Sequence, residues 1–173
     1  FATPPAKPRE VPPANGIWKV LYMVNAEGDE AVETARGLLS LENIALTITC
    51  GRDENLARRF QNLGAEMGRP IEVLGWVPEM PHLIRRNHLL IGKAGGATVQ
   101  EAMAAHTPMV ITKVVPGQEE GNARLLTGRG AGFVATTPSA VVEAVQRIFD
   151  SGGSLYRDSL KAATSLSHPA ASK

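Results

Sequence analysis

The residues from His88 to Met103 run His-Leu-Leu-Ile-Gly-Lys-Ala-Gly-Gly-Ala-Thr-Val-Gln-Glu-Ala-Met. A short apolar run breaks at glycines and resumes as a helix former. Strand, glycine turn and helix form the unit that binds phosphate in open α/β sheets, because the first turn of a helix leaves its N–H groups without partners. A helix starting at Gly95 or Gly96 would put Glu101 one turn in, within reach of a ligand at the helix start. Thr98 and Glu101 also have the spacing of a capping box. The stretch reads equally well as a tight strand-to-helix connection with no ligand. Its neighbours have to decide.

Two basic residues, Arg52 and Lys93, fall near expected strand ends, as ligands for an anion or as plain solvated charges. Gln118, Glu119 and Glu120 follow Pro116 and Gly117 at an expected helix start. Acidic residues there suit the helix dipole. Adjacent amide and carboxylate groups would also suit the vicinal hydroxyls of a sugar. The backbone at Trp76 and Val77 could meet the edge of a planar base. Other chemistries find little support. The dinucleotide motif G-x-G-x-x-G is missing from the first turn, which reads Asn25-Ala26-Glu27-Gly28, and no P-loop motif occurs. No G-x-S-x-G elbow occurs either. His82, His88, His106 and His168 have neither zinc-ligand spacing nor cysteine partners. His82 is expected in a loop and His88 at a strand edge.

These residues need a scaffold, and the chain is long enough for one. It has 173 residues, 43% hydrophobic and 20% charged, enough for one α/β domain with a full core. The formal net charge of +1 gives no support for nucleic acid as a partner. Aromatics at 5% argue against a base-stacking platform. The single cysteine, Cys50, allows no internal disulfide and reads as a small apolar residue at a strand end. No apolar run is long enough to span a bilayer, and the opening is no secretory signal. The opening is dense in proline and lacks a starting Met, so residues 1–15 are expected to be an interdomain linker within a longer protein. Residues 16–165 are expected to form the domain, and 166–173 a flexible tail.

Strands are expected at residues 17–24, 44–50, 71–74, 88–92, 108–112 and 131–135. Helices are expected between them, at 30–40, 53–67, up to about 86, from 95 or 96, and up to about 127. A long last helix starts after Thr136 or Thr137, with Pro138 in its first turn. Alternating strands and helices imply right-handed crossovers and a six-stranded, Rossmann-like parallel sheet covered on both faces. Ligands bind such sheets beyond the carboxyl ends of the strands, near the switch in strand order. The loops after the strands are therefore the ones to weigh.

Three segments in order carry a resemblance: Gly75-Trp76-Val77-Pro78-Glu79-Met80, Gly92-Lys93-Ala94-Gly95-Gly96-Ala97-Thr98-Val99-Gln100-Glu101-Ala102, and Pro116-Gly117-Gln118-Glu119-Glu120-Gly121-Asn122. Together, with Cys50-Gly51-Arg52 and Ala131-Gly132, they resemble the C-terminal, donor-binding half of B-type glycosyltransferases. The nearest likeness is to monogalactosyldiacylglycerol synthases and processive diacylglycerol glucosyltransferases, over roughly residues 17–149. The peptidoglycan N-acetylglucosaminyltransferase is a more distant cousin.

The resemblance implies a UDP-sugar site. The Val77 backbone would read uracil, and Glu101 would hydrogen-bond the ribose. Gly95, Gly96, Ala97 and Thr98 would present N–H groups to the diphosphate, with Arg52 along the uracil or diphosphate. Gln118 and Glu119 would hold the sugar, and Asn122 would support their loop. The sugar would leave UDP with inversion, with helix N-termini rather than an obligatory metal stabilising the diphosphate. No further cofactor is implied. The catalytic base and the lipid-acceptor surface would belong to an N-terminal half. The full-length protein would be a cytoplasmic, peripheral membrane hexosyltransferase acting on a diacylglycerol-type lipid, and this piece alone an inactive monomer. One departure stands out: the lipid galactosyltransferases carry a run of glycines where this chain has Val24-Asn25-Ala26, so side chains there would narrow the approach to the donor or acceptor. A nucleotide-sugar epimerase domain and a catalytically degenerate nucleotide-binding module are the alternatives.

Overall fold

The computed structural model describes residues 11–12 and 16–167. The elements alternate as β1 Trp18–Met23, α1 Gly28–Leu39, β2 Ile44–Thr49, α2 Glu54–Met67, β3 Glu72–Leu74, α3 Met80–Arg85, β4 Leu89–Lys93, α4 Gly96–Ala104, β5 Met109–Lys113, α5 Glu120–Gly128, β6 Gly132–Val134, α6 Pro138–Phe149 and α7 Ser154–Leu166. All six strands are parallel, in the order β3-β2-β1-β4-β5-β6. The expected Rossmann-like sheet is therefore present, and its strand order reverses between β1 and β4. At that reversal, chain connections leave the sheet in opposite directions and open a crevice at the carboxyl ends of the strands.

The apolar pattern explains the layering. Strands buried on both faces read as continuous apolar runs, as β4 does. One face of the sheet carries Val20, Tyr22, Ile48, Ile91 and Val110, packed with Ala31, Ala35 and Leu38 of α1, Phe60 of α2, and Val141, Val145 and Ile148 of α6. The opposite face carries Leu21, Leu90, Met109 and Ile111 with Val99 and Ala102 of α4. The buried residues of α1, α2 and α6 recur at helical spacing along one face of each helix. Asp53 caps α2, accepting from Leu56 N at 3.0 Å, and Thr137 caps α6, accepting from Ala140 N at 3.2 Å.

Several expectations need correction. α1 starts at Gly28 rather than residue 30, and Ile71 and Pro108 lie outside the strands expected to include them. His82 is not in a loop but within α3. α7 was not expected at all, and it reaches Leu166, so Leu166 is helix rather than tail. Its inward side carries Tyr156, Ser159 and Ala163, with Leu155, Leu160 and Leu166 partly buried beside them. Two successive left-handed glycines, Gly152 (φ 68°) and Gly153 (φ 78°), turn the chain between α6 and α7. Gly153 sits against the Trp18 ring, where an added Cβ would stand 3.0 Å away. Trp18 stacks on Phe149 at 4.2 Å and meets Tyr156 edge-on at 4.9 Å, which ties α6 and α7 to the start of β1. Of the expected linker only Val11 and Pro12 fall among the described residues, and Val11 packs against the core. Residues 168–173 of the expected tail lie outside them.

Candidate functional site

The reversal point is lined by the loop after β1 and the loop after β4, and the second of these is the glycine stretch. Gly95 is the N-cap of α4, with an extended backbone (φ −66°, ψ 146°) and no side chain to close the helix end. The N–H of Val99 reaches the Gly95 carbonyl at 2.9 Å. The N–H groups of Gly96, Ala97 and Thr98 form the first turn, where a helix supplies no internal acceptor. Gly96 and Ala97 are exposed and Thr98 is partly so. Glu101 lies within α4, beyond this turn and half-buried. The sequence-level choice of helix start, Gly95 or Gly96, resolves to Gly96.

Gly92, Gly95 and Gly96 do different work. Gly92 faces Met23, whose Cβ would stand 3.5 Å from an added Cβ, an ordinary contact. A Cβ on Gly95 would meet the Lys93 Cε at 3.4 Å and the Glu119 Oε1 at 3.9 Å, without a backbone clash. Nothing in the packing of Gly95 demands a glycine, and its neighbours are polar and charged groups.

The loop between β5 and α5 is fastened onto this turn by side chains. Glu119 is 6% exposed. Its Oε2 accepts from Val115 N at 2.8 Å, while its own N–H donates to the Val115 carbonyl at 3.0 Å. Its Oε1 faces Lys93 Nζ at 3.3 Å. Asn122 donates from Nδ2 to the Ala94 carbonyl at 3.1 Å. Gly117 (φ 77°) makes the bend that closes the loop. Gln118, by contrast, is exposed at the tip. The adjacent pair thus divides: Gln118 faces solvent, and the Glu119 carboxylate is committed to Val115 and Lys93.

β4 and β5 meet irregularly here. Gly92 pairs with Ile111 but Lys93 pairs with Lys113, which leaves Thr112 as an extra residue. Bulges of this kind re-aim side chains beside sites. The Thr112 hydroxyl donates to Asn25 Oδ1 at 3.2 Å. Asn25 is thereby tied inward across the end of β4. The Asn25 loop, Thr112 and the starts of α1 and α6 enclose a cleft of about 470 Å³ on the sheet face opposite α4.

The base-edge candidates come from the other half of the sheet. The loops after β2 and β3 touch: a Cβ on Gly75 would stand 3.3 Å from the Gly51 carbonyl. Val77 is partly buried against the apolar cluster that holds Val99 and Ala102 of α4, and Trp76 is 64% exposed. Arg52 is fully solvent-facing on a turn formed by left-handed Gly51, with β1 between its strand and β4. Cys50 is buried, donates to the Leu74 carbonyl at 3.5 Å, and burial pushes its thiol up. His88 is structural: Nδ1 accepts from Lys19 N at 2.9 Å and the ring packs edge-on to Trp18. The Lys93–Glu119 pair was not anticipated. The two residues are far apart in sequence, and no spacing rule links them.

The profile described as "Glycosyltransferase family 28 C-terminal domain" matches residues 28–172. Among curated relatives, the processive diacylglycerol beta-glucosyltransferase of Bacillus subtilis (strain 168) is 31% identical over 140 residues, covering 80% of this chain and 37% of that protein. Its counterpart in Bacillus licheniformis is 29% identical over 131 residues, 75% of this chain and 34% of that protein. The chain thus spans about a third of the length of these relatives. Among solved structures, Acinetobacter baumannii MurG superposes with a TM-score of 0.69 at 20% identity, over 91% of this chain and 48% of that one. The S. aureus MnaA–UDP co-structure superposes with a TM-score of 0.67 at 15% identity, over 86% and 41%. The fold is shared with these proteins over a little under half of their length, and by its sequence the chain belongs to the glycosyltransferase family 28 C-terminal domain family.

Proposed function

We propose that this chain is the UDP-sugar-binding half of an inverting hexosyltransferase whose acceptor is a diacylglycerol-type lipid. The observation that carries it is the open first turn of α4 at the strand-order reversal, flanked by Glu101 and by the braced loop that exposes Gln118. The N–H groups of Gly96, Ala97 and Thr98 take the diphosphate, where the helix dipole favours negative charge. Glu101 accepts from the ribose hydroxyls one turn further on. The Val77 backbone reads the uracil edge, with Arg52 at the outer rim of the same side. Gln118 contacts the sugar. Glu119 contributes by fixing the loop, since its carboxylate is already committed.

In the transfer, the acceptor hydroxyl oxygen bonds to the anomeric carbon as the bond from that carbon to the diphosphate oxygen breaks. The electron pair leaves with UDP, whose growing charge falls on the α4 N–H groups. The hydroxyl proton passes to a base outside this half. No metal is required by this scheme. The lipid acceptor follows from the curated relatives, which are named as diacylglycerol glucosyltransferases. No helix among the described residues is long and apolar enough to cross a membrane. A diacylglycerol-type acceptor is held in a bilayer by its acyl chains, so the full-length protein would meet it at the membrane surface.

The test is calorimetry of the chain with UDP, UDP-glucose, UDP-galactose and UDP-N-acetylglucosamine. Glu101→Ala should weaken UDP binding by about 1–3 kcal/mol, the scale of hydrogen bonds to a charged group, with little change in melting temperature. Gln118→Ala should spare UDP and weaken the preferred UDP-sugar. Unchanged UDP affinity in Glu101→Ala refutes the ribose assignment. Equal losses for UDP and UDP-sugar in Gln118→Ala refute the sugar contact.

A further inference from the structure

Lys93 occupies a position that the roles above leave unused. It is the last residue of β4, two residues before the helix cap, and its side chain is 44% exposed. Its Cε lies 3.4 Å from where a Cβ on Gly95 would stand, so the ammonium is at the mouth of the α4 turn. Its Nζ is 3.3 Å from Oε1 of Glu119, a carboxylate that is itself 6% exposed. An ammonium has three donors and Glu119 takes one. The buried carboxylate removes most of the lysine's freedom without consuming it, and long side chains otherwise lose much entropy on binding.

The order of groups along the site says which part of a ligand Lys93 faces. Glu101 lies on the helix side of the open turn. Lys93 lies on the strand side, joined through Glu119 to the residue next to Gln118. A nucleotide with its ribose at Glu101 and its sugar at Gln118 passes its first phosphate over the N–H groups and its second beside Lys93. We propose that Lys93 is a ligand for the distal phosphate of the nucleoside diphosphate, held ready by Glu119, and that it sets the preference for diphosphate over monophosphate. This rests on the nucleotide-sugar reading above. Through Glu119, the same lysine links phosphate occupancy to the loop that presents Gln118.

Calorimetry with UDP and UMP on the wild-type chain and on Lys93→Met, Lys93→Arg and Lys93→Met/Glu119→Gln tests this. The double variant removes the charge that Lys93→Met would strand in the interior, so a folding defect does not obscure the result. Lys93→Met and the double variant should lose about tenfold or more in UDP affinity, the worth of one charge-assisted hydrogen bond. UMP should stay within about threefold, as for a screened charge acting at a distance. Lys93→Arg should restore most of the UDP affinity. Equal losses for UDP and UMP, or wild-type UDP affinity in the double variant, overturn the assignment of Lys93. A wild-type chain that binds neither nucleotide overturns the nucleotide reading itself, and the assignment of Lys93 with it.

Discussion

Gly95→Ala separates a glycine kept for a ligand from one kept for packing. The backbone at Gly95 (φ −66°, ψ 146°) is open to any residue. The new methyl group would meet Lys93 Cε at 3.4 Å, an ordinary contact with the movable end of a side chain. Alanine is a poorer N-cap than glycine, so a stability loss of up to about 1 kcal/mol is expected. That corresponds to a fall in Tm of roughly 2–4 °C for a domain of this size. In the proposed complex the methyl group stands where a phosphate must approach the α4 N–H groups. Losing one charge-assisted hydrogen bond there costs about 1.5–3 kcal/mol, or tenfold or more in UDP affinity. Gly64→Ala is the contrast. Its Cβ would stand 2.8 Å from the Arg69 carbonyl. That segment cannot yield, because the Arg69 guanidinium donates to the Leu39, Leu41 and Ile44 carbonyls. Overpacking of this kind costs about 1–3 kcal/mol of stability, and UDP affinity of the folded fraction should be unchanged. Thermal melts paired with calorimetry read both effects. If Gly95→Ala binds UDP like the wild type, or melts as early as Gly64→Ala, the phosphate role of this turn is refuted.

Two further outcomes follow from the fold. Asp53→Ala removes the side-chain acceptor for Leu56 N and should cost about 1 kcal/mol in urea unfolding, with Asp53→Asn recovering most of it. An undiminished midpoint in Asp53→Ala would show that α2 is held by packing alone. Tyr22 titrates late: burial pushes its phenol from 10.0 up to about 12. Below pH 10 the phenol is neutral in both states, so its contribution is intact. Above that, the unfolded chain ionises first, and stability falls by up to roughly 2–3 kcal/mol as pH rises towards 12. Tyr22→Phe should flatten that part of the stability–pH curve, and parallel curves for the two proteins would refute the burial assignment.

Much of this architecture was legible because it rests on local rules. β4 is apolar from Leu89 to Gly92 since a central parallel strand buries both faces, and that needs no knowledge of its neighbours. The Asp53 and Thr137 caps, Pro138 at the start of α6, and the inward positions of α1, α2 and α6 follow from helical geometry alone. α7 was not expected although its apolar residues recur at helical spacing, and its start lies behind two left-handed glycines that read as a loop. Its place depends on Trp18, which lies more than a hundred residues earlier in the chain and receives Phe149 and Tyr156.

The site divides in the same way. The glycine stretch, Glu101 and the Pro116–Asn122 segment could be picked out as a set from residue types, order and resemblance, because each carries its chemistry in a few adjacent residues. What those residues touch could not be read in this way. Glu119 looks like a partner for a sugar beside Gln118, yet folding buries it against Lys93 and Val115 and leaves Gln118 outside. Asn25 looks like an obstruction, yet Thr112, displaced by a bulge, ties its side chain inward. Adjacent residues on a loop share a position but not an orientation. Orientation is set by contacts with segments far away in the chain, and those contacts exist only once β4 and β5 stand side by side.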